Sequence, residues 1–154
     1  MAQYSPHFPV DTKKNLDSTT MPHNPCSSGK ILGVGVDLVE TVRIRRIHER
    51  HGEAFLTRIY IQEERDYCMA MANPWASLAA RFAAKEAVSK ALGTGLGAEI
   101  GFTSIAVINN TRGAPAIVLD EKATALLHSL GGKYVHISLT HTASLAQAFA
   151  VVSA

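Results

Sequence analysis

The chain contains the stretch Arg81-Phe-Ala-Ala-Lys-Glu-Ala-Val-Ser-Lys90, which continues into Ala91-Leu-Gly-Thr-Gly-Leu-Gly97. Alanine-rich sequence without internal proline or glycine has a high helix propensity, and Pro74 is well placed to be the first helical residue. Gly93 can end such a helix in a left-handed C-cap. We therefore predict one long helix, from about Trp75 to Leu92, that carries a carboxylate and three cations.

A second stretch, Ile31-Leu-Gly-Val-Gly-Val-Asp-Leu-Val39, alternates two sets of residues. Four apolar side chains share one face of a predicted strand, and the other face holds two glycines followed by Asp37. Glycine inside a strand usually marks the close approach of a ligand or of another backbone. The pattern therefore predicts a strand with one face cleared of side chains immediately before a carboxylate.

The rest of the chain switches between helical and strand periodicity. We read the order as β-α-α-β-β-α-β-β, an α+β fold in which an antiparallel sheet packs against the long helix. The further predicted elements are a helix from Glu40 with Ile44 and Ile47 inward, a helix at about Gln62–Met71, strands at about 103–109 and 114–119 around a turn at 110–113, a helix capped by Asp120 and ending near Leu130, and strands at about 134–140 and 145–152.

The composition is that of one soluble globular domain. Of the 154 residues 47% are apolar and 18% charged, and no run approaches the ~18 apolar residues of a membrane span. The net charge of +2 is too mild to indicate a nucleic-acid partner. The two cysteines form neither a disulfide framework nor a zinc motif, which is typical of a reducing compartment. We therefore expect a cytoplasmic protein without a membrane or nucleic-acid partner.

The first thirty residues differ from the rest, because they hold four of the six prolines and no periodic apolar pattern. Such a segment cannot bury enough apolar surface to offset the entropy of ordering it. We predict a flexible extension at residues 1–30 and a folded domain at residues 31–154.

Asp37 and Glu86 are the candidate metal ligands. Magnesium prefers oxygen ligands and typically takes one or two carboxylates together with substrate phosphates. A carboxylate on the glycine-cleared strand face and another at the margin of the buried helix face would supply that set. As ordinary surface groups, Glu86 would instead form an exposed ion pair with Lys90, worth about 0.3–0.5 kcal/mol, and Asp37 would be a turn or capping group.

Three cations of the long helix, Arg81, Lys85 and Lys90, suit a phosphate-rich ligand, although each taken singly is also typical of a solvated helix face. The glycine-rich segment 93–97 could let a nucleotide approach the backbone, but it lacks the Gly-Lys-Ser/Thr of a P-loop. His141, flanked by hydroxyl residues at a hairpin tip, could bind a phosphate oxygen or only support the turn.

The predicted first helix carries an exposed arginine stripe formed by Arg43, Arg46 and Arg50. Such a stripe suits an acidic partner or phosphates, and a solvated amphipathic face is the alternative. No serine or cysteine of the chain has the context of a catalytic triad, so covalent catalysis by the chain itself is not supported.

Taken together, these motifs resemble the holo-[acyl-carrier-protein] synthases, the small bacterial members of the 4′-phosphopantetheinyl transferase family. The resemblance covers about Ile31 to Val152, while residues 1–30 have no counterpart in the typical member and 62–75 match only loosely. The motifs that carry it are Gly33-Val-Gly-Val-Asp-Leu-Val-Glu40 with Arg43, the block Arg81–Gly95, and Val135-His-Ile-Ser-Leu-Thr-His-Thr142.

The resemblance implies the 4′-phosphopantetheinyl transferase fold and a magnesium-dependent transferase. Its reaction would move the 4′-phosphopantetheine arm of coenzyme A to a serine of apo acyl carrier protein, release adenosine 3′,5′-bisphosphate and support fatty acid biosynthesis. It would be a homotrimer with active sites between subunits, in which His141 could complete a neighbour's site. The implied roles are metal ligation by Asp37 and Glu86, catalysis by these two and Lys90, coenzyme binding by Arg81, Lys90 and His141, and carrier-protein docking by Arg43, Arg46 and Arg50.

Two other function classes stay open at this point. A non-catalytic module could use the arginine stripe to bind RNA or an acidic protein, but it would leave the pairing of Asp37 with Glu86 unexplained. A different magnesium-dependent phosphotransferase or phosphohydrolase acting on a nucleotide would use the metal ligands without needing the stripe. The acceptor of the serine proton also stays open between Glu86, Asp37 and a metal-bound water.

Overall fold

The helices and strands are taken from a computed structural model that describes residues 29–97 and 99–154. None of the helices in these ranges is both long and apolar enough to span a membrane. The helices are α1 (Thr41–His51), α2 (Glu53–Ile59), α3 (Gln62–Met69), α4 (Pro74–Leu92) and α5 (Glu121–Ser129). The strands are β1 (Ile31–Glu40), β2 (Ile105–Asn109), β3 (Pro115–Leu119), β4 (Tyr134–His141) and β5 (Leu145–Ser153).

The strands form two antiparallel sheets. The larger has the order β1-β5-β4, and β2 pairs with β3 in a separate hairpin. In the larger sheet Asp37 lies opposite Ala148, and His141 at the end of β4 lies opposite Ala146. The long helix α4 packs against one face of this sheet, so the predicted α+β class and the packing of an antiparallel sheet on a long helix are confirmed.

The glycine face of β1 is the face that meets α4. A Cβ atom at Gly33 would clash with the carbonyl oxygen of Ala91, and one at Gly35 would clash with that of Ala87. The close approach predicted from these glycines is therefore that of a helix backbone. The opposite, apolar face of β1 is exposed, with Val36 at 48% and Leu38 at 58% of their full accessibility.

The helix α4 is buried on more sides than one amphipathic stripe would require. The sheet covers one side, and α1, α3 and β2 contact others. Leu78 and Ser89 are buried, whereas Trp75 and Phe82 are only partly so. Small alanines on the sheet side allow this close packing. The predicted left-handed C-cap is confirmed, since Gly93 has a φ of 76°.

The predicted element order is wrong in its helix count. Four helices separate β1 from β2. The predicted order placed two helices there, although three helical stretches were expected between these strands. The missed helix, α2, has seven residues and begins directly after Gly52, whose φ of 58° ends α1. Its buried Phe55, Leu56 and Ile59 span barely two turns, which is too short for a helical period to stand out.

Most of the predicted extension lies outside the described residues. Gly29 and Lys30 are described, and the Lys30 carbonyl oxygen accepts a hydrogen bond of 3.0 Å from the Ala154 amide. The division into residues 1–30 and 31–154 therefore stays a prediction. The cap predicted for α5 is confirmed, because Asp120 accepts a 2.8 Å hydrogen bond from the Ala123 amide.

Candidate active site

Asp37 and Glu86 lie where β1 crosses α4. Asp37 follows Gly35 on the inner face of β1, and its side chain is 17% exposed. Glu86 directly precedes Ala87, whose carbonyl oxygen is the one that Gly35 accommodates. The glycine contact therefore brings the strand that carries Asp37 against the helix that carries Glu86. The predicted pairing of a strand carboxylate with a helix carboxylate fits this arrangement.

Lys90 joins the same cluster. Its Nζ donates a hydrogen bond of 2.7 Å to Asp37 Oδ1 and one of 3.0 Å to the Val36 carbonyl oxygen. The ion pair expected from the alternative interpretation, between Lys90 and Glu86, is not formed among the described residues. Lys90 therefore connects α4 to β1 instead of pairing with a residue of its own helix.

Electrostatics at Glu86 show that the carboxylates influence each other. Burial raises the pKa of Glu86, and the negative charge of Asp37 raises it further. Lys90 and Arg43 act in the opposite direction and favour the charged form. The arginine stripe on α1 therefore begins within electrostatic range of Glu86, which links the two predicted features spatially.

The donor set fits a magnesium ion. Two carboxylates of like charge that sit side by side are relieved by a divalent cation. The described residues offer no group of three or more His, Cys, Asp or Glu side chains that could hold a metal. Magnesium is commonly bound by one or two carboxylates, with water and substrate phosphates completing its octahedral shell.

Lys85, by contrast, is not part of this cluster. Its side chain is fully buried and donates to Glu64 Oε2 at 2.8 Å, to the Phe102 carbonyl oxygen at 3.0 Å and to the Ile105 carbonyl oxygen. The interpretation of Lys85 as a solvated surface cation is therefore wrong. Burial lowers the pKa of Lys85, and the adjacent Glu64 counteracts that shift.

Glu64 is the partner that sequence reasoning missed. Its Oε1 accepts a 3.0 Å hydrogen bond from the Val107 amide, and its Oε2 accepts one from the Ile61 amide at the same distance. The contact with Ile61 is a local one at the start of α3, where glutamate is common. Its pairing with Lys85 spans 21 residues of sequence, and no local pattern predicts such a contact.

Arg81 lies on the same side of α4 as Lys85. It is 4% exposed, donates to Asn109 Oδ1, and places its guanidinium carbon 4.3 Å from the ring centroid of Tyr67. Nine residues separate Arg81 from Lys90, a rise of about 13 Å along the helix. The interpretation of Arg81 as a solvated cation is wrong, and its contact with the coenzyme stays a prediction.

His141 is exposed at the end of β4. It shares the inner face and the same end of the sheet with Asp37, because Ala146 is the partner of both His141 and Val39. Two strand spacings, about 10 Å, separate β4 from β1. Within one chain, His141 and Asp37 therefore lie on the two opposite edge strands of the sheet, with β5 between them.

The arginine stripe is exposed as predicted. Arg43, Arg46 and Arg50 line a groove of about 300 Å³ along α1, together with Glu40, Val42, Ile47 and His51. Ile44 is completely buried on the opposite side of the helix. Arg45 does not join the stripe, since it forms an exposed 2.8 Å pair with Glu49.

Comparisons with known proteins point to one family. The profile of the 4′-phosphopantetheinyl transferase superfamily matches residues 33–148. A holo-[acyl-carrier-protein] synthase of Chlamydia trachomatis serovar D is 46% identical over 121 residues, which cover 79% of this chain and 98% of the relative. The crystal structure of the Neisseria meningitidis synthase has a TM-score of 0.75 at 33% identity and covers 80% of this chain and 98% of its own. The crystal structure of the Helicobacter pylori synthase in complex with coenzyme A has a TM-score of 0.70 at 32% identity and covers 78% and 99%.

Proposed function

Since the chain belongs to the 4′-phosphopantetheinyl transferase superfamily, we propose that it transfers the 4′-phosphopantetheine arm of coenzyme A to a serine of apo acyl carrier protein. Adenosine 3′,5′-bisphosphate is the second product, and the modified carrier serves fatty acid biosynthesis. The observation that carries this proposal is the cluster of Asp37, Glu86 and Lys90 at the crossing of β1 and α4. All three residues lie inside the region that matches the superfamily.

In this proposal Asp37 and Glu86 hold Mg²⁺. When bound there, Mg²⁺ supplies charge neutralisation at the diphosphate of coenzyme A. The support is the donor set of two neighbouring carboxylates, one of which has its pKa raised by burial and by the other. Aspartate and glutamate oxygens are the ligands that magnesium takes in phosphate-transfer sites.

The chain's own residues position the reactants. The carrier's serine oxygen loses its proton to Glu86, Asp37 or water and forms a bond to the β-phosphorus of coenzyme A. The bond from that phosphorus to the bridging oxygen breaks, and its electron pair leaves with adenosine 3′,5′-bisphosphate. Lys90 can donate hydrogen bonds to the phosphate oxygens, where negative charge develops. Because the attacking hydroxyl belongs to the carrier protein, the chain needs no nucleophile of its own, which agrees with the lack of a triad in its sequence.

Transfer is tested directly by intact-mass measurement. The protein is incubated with apo acyl carrier protein, coenzyme A and MgCl₂, and the carrier's mass is then recorded. We expect a gain equal to one phosphopantetheine arm, and no gain when EDTA removes the metal. An unchanged carrier under every metal condition would contradict the proposal.

The carrier protein docks on the arginine stripe in this proposal. The support is the exposed groove along α1 and the proximity of Arg43 to Glu86, which connects the docking surface to the carboxylates. Arg50 lies two helical turns beyond Arg43. The variant Arg50→Glu should raise the KM for the carrier protein about tenfold and leave the KM for coenzyme A unchanged. Arg58→Glu, an exposed arginine on α2, is the matched control. Equal changes in both KM values would argue against docking at this stripe.

The active form is a homotrimer in this proposal, with His141 joining the site of a neighbouring subunit. The support is the outer face of the three-stranded sheet, which leaves apolar side chains exposed on all three strands. Exposed apolar patches of this kind mark protein interfaces. The exposed members are Val34, Val36, Leu38, Tyr134, Leu145 and Phe149.

Sedimentation equilibrium tests the trimer. We expect a trimeric mass for the unmodified protein and a monomeric mass for Phe149→Lys, because a buried lysine without a partner would disfavour the interface. Val118→Lys replaces an apolar residue of similar exposure on β3 and should stay trimeric. A monomeric unmodified protein at micromolar concentration would overturn this part of the proposal.

A cytoplasmic location completes the proposal. Its support is Cys68, a free and buried thiol whose pKa burial raises to about 11. Free thiols are typical of reducing compartments.

A further inference from the structure

Lys90 holds one of the two candidate metal ligands in a direct ion pair. Its ammonium group donates to Asp37 Oδ1 at 2.7 Å and to the Val36 carbonyl oxygen at 3.0 Å, so both contacts are made to β1. A carboxylate with a close ammonium partner attracts a second cation less strongly, because the two positive charges then repel each other over a few ångströms. Lys90 and a divalent cation therefore compete for Asp37.

We infer that Lys90 couples metal binding to coenzyme binding: a divalent cation binds weakly while Lys90 pairs with Asp37, and tightly once the coenzyme's diphosphate gives Lys90 another anionic partner. This inference rests on the proposed function, because it takes Asp37 as a ligand of the cation. It goes beyond that function by making Lys90 a positioning residue that controls the order in which the site is filled.

The local charges support this coupling. Asp37 and Glu86 contribute two negative charges, and Lys90 cancels one of them. Arg43 is near enough to favour the charged form of Glu86 and cancels part of the remainder. A divalent cation on its own would therefore enter a site that is only weakly negative, whereas the diphosphate brings the negative charge that balances it.

Exposure gives Lys90 the freedom to change partners. Its side chain is 49% exposed, and exposed ion pairs contribute little to stability, so exchanging Asp37 for a phosphate costs the fold little. Lys90 also lies in the last turn of α4, three residues before the Gly93 cap. Lys85, which is fully buried and bonded to three acceptors, has no such freedom.

Mn²⁺ titration tests the coupling without turnover. Free Mn²⁺ is measured by electron paramagnetic resonance in the presence of the protein, with and without saturating coenzyme A and without any carrier protein. Blanks with coenzyme A alone correct for Mn²⁺ that the coenzyme binds by itself. For the unmodified protein we expect coenzyme A to tighten Mn²⁺ binding at least about tenfold.

Variants of Lys90 separate its charge from its shape. Without coenzyme A, Lys90→Met should bind Mn²⁺ about tenfold more tightly than the unmodified protein, and coenzyme A should then add less. Lys90→Arg keeps the charge and should bind Mn²⁺ as weakly as the unmodified protein. Arg45→Met is the matched control, because it breaks another exposed ion pair, with Glu49, and should leave Mn²⁺ binding unchanged.

Two results would overturn the inference. One is Mn²⁺ binding by Lys90→Met, without coenzyme A, that is no tighter than that of the unmodified protein. The other needs no variant: it is equal Mn²⁺ affinity of the unmodified protein with and without coenzyme A. Either result leaves the proposed function standing if metal-dependent transfer is observed, whereas a protein that binds no Mn²⁺ in any condition and transfers nothing would remove both.

Discussion

Lys85 and Lys90 are five residues apart on α4, and their surroundings differ in almost every respect. Lys85 is fully buried, and its three acceptors come from α3, from the 3₁₀ turn before β2 and from β2 itself. Lys90 is half exposed, and both its acceptors lie on β1. Lys85 and its carboxylate partner Glu64 are both completely buried, whereas Lys90 and its partner Asp37 are both partly exposed.

The difference shows how one helix can carry both a fixed ion pair and an exchangeable one. A buried cation with a full set of acceptors cannot exchange them without leaving a buried charge unpaired, so its role is structural. A half-exposed cation can exchange its partner at small cost. The boundary between the two kinds of environment runs along α4, with Lys85 on the fully buried side and Glu86 and Lys90 on the side of the predicted site.

The largest effect is expected from Lys85→Met. The substitution leaves Glu64 buried without its cation, and removal of one partner of a buried pair costs about 3–5 kcal/mol. Urea denaturation should show a free energy of unfolding lowered by that amount. A loss below about 1 kcal/mol would contradict the structural role of Lys85.

A double variant tests whether the unpaired Glu64 causes this loss of stability. Replacing both partners, as Glu64→Leu with Lys85→Met, removes the unpaired charge and should recover part of the lost stability. The added Glu64→Leu would also remove the acceptor of the Ile61 and Val107 amides, so recovery should be incomplete. A double variant less stable than Lys85→Met would show that the pair is not the source of the loss.

Lys90→Met should show the opposite division between stability and activity. We expect the free energy of unfolding to change by less than about 1 kcal/mol, because the pair with Asp37 is partly exposed. Transfer should fall about 100-fold in kcat/KM, which corresponds to about 2.7 kcal/mol of transition-state stabilisation. Urea denaturation and initial-rate measurements on one preparation check both. If Lys90→Met lost as much stability as Lys85→Met and kept full transfer activity, the proposed difference between the two lysines would be contradicted.

The smallest effect is expected from Glu86→Gln, and it depends on pH. Burial and Asp37 raise the pKa of Glu86 in the folded protein, so its contribution to stability is full below the ordinary value of 4.5 and is lost as pH rises through the folded-state pKa. In metal-free buffer at pH 7, Glu86→Gln should be more stable than the unmodified protein by less than about 1 kcal/mol, since solvent screens this partly exposed group.

Paired denaturation curves between pH 7 and pH 4 check this prediction. The advantage of the glutamine variant should shrink as the pH falls, because Glu86 then becomes neutral as well. An advantage that stays constant across this range would contradict the electrostatic explanation.

The sequence predicted those features that depend on local residues. The caps at Gly93 and Asp120 follow from the conformational freedom of glycine and from a carboxylate's ability to bind free amides. The alternation in β1 correctly separated the glycine face from the apolar face. The alternation could not predict which face of β1 meets the helix, because that depends on the element that packs against the strand. In the structure the glycine face meets α4, where Gly35 lies against the backbone of Ala87.

Features that depend on tertiary contacts were outside the reach of the sequence. Lys85 and Lys90 have the same side chain on the same predicted helix, and only the packing of α3 and β2 around the first distinguishes them. Glu64 was missed because its partner lies 21 residues away. The glycines of β1 were informative, since they predicted the close backbone approach that the structure shows just before Asp37, whereas the roles of Asp37 and Glu86 as metal ligands stay predictions.

The most direct measurement compares transfer by Asp37→Ala and by the unmodified protein, using the carrier's intact mass, together with urea denaturation of both proteins. We expect Asp37→Ala to fold with a free energy of unfolding within about 1 kcal/mol of the unmodified protein. We also expect the folded variant to transfer no detectable phosphopantetheine in the presence of MgCl₂. A folded Asp37→Ala variant that modifies the carrier at the unmodified rate would contradict the assignment of the site.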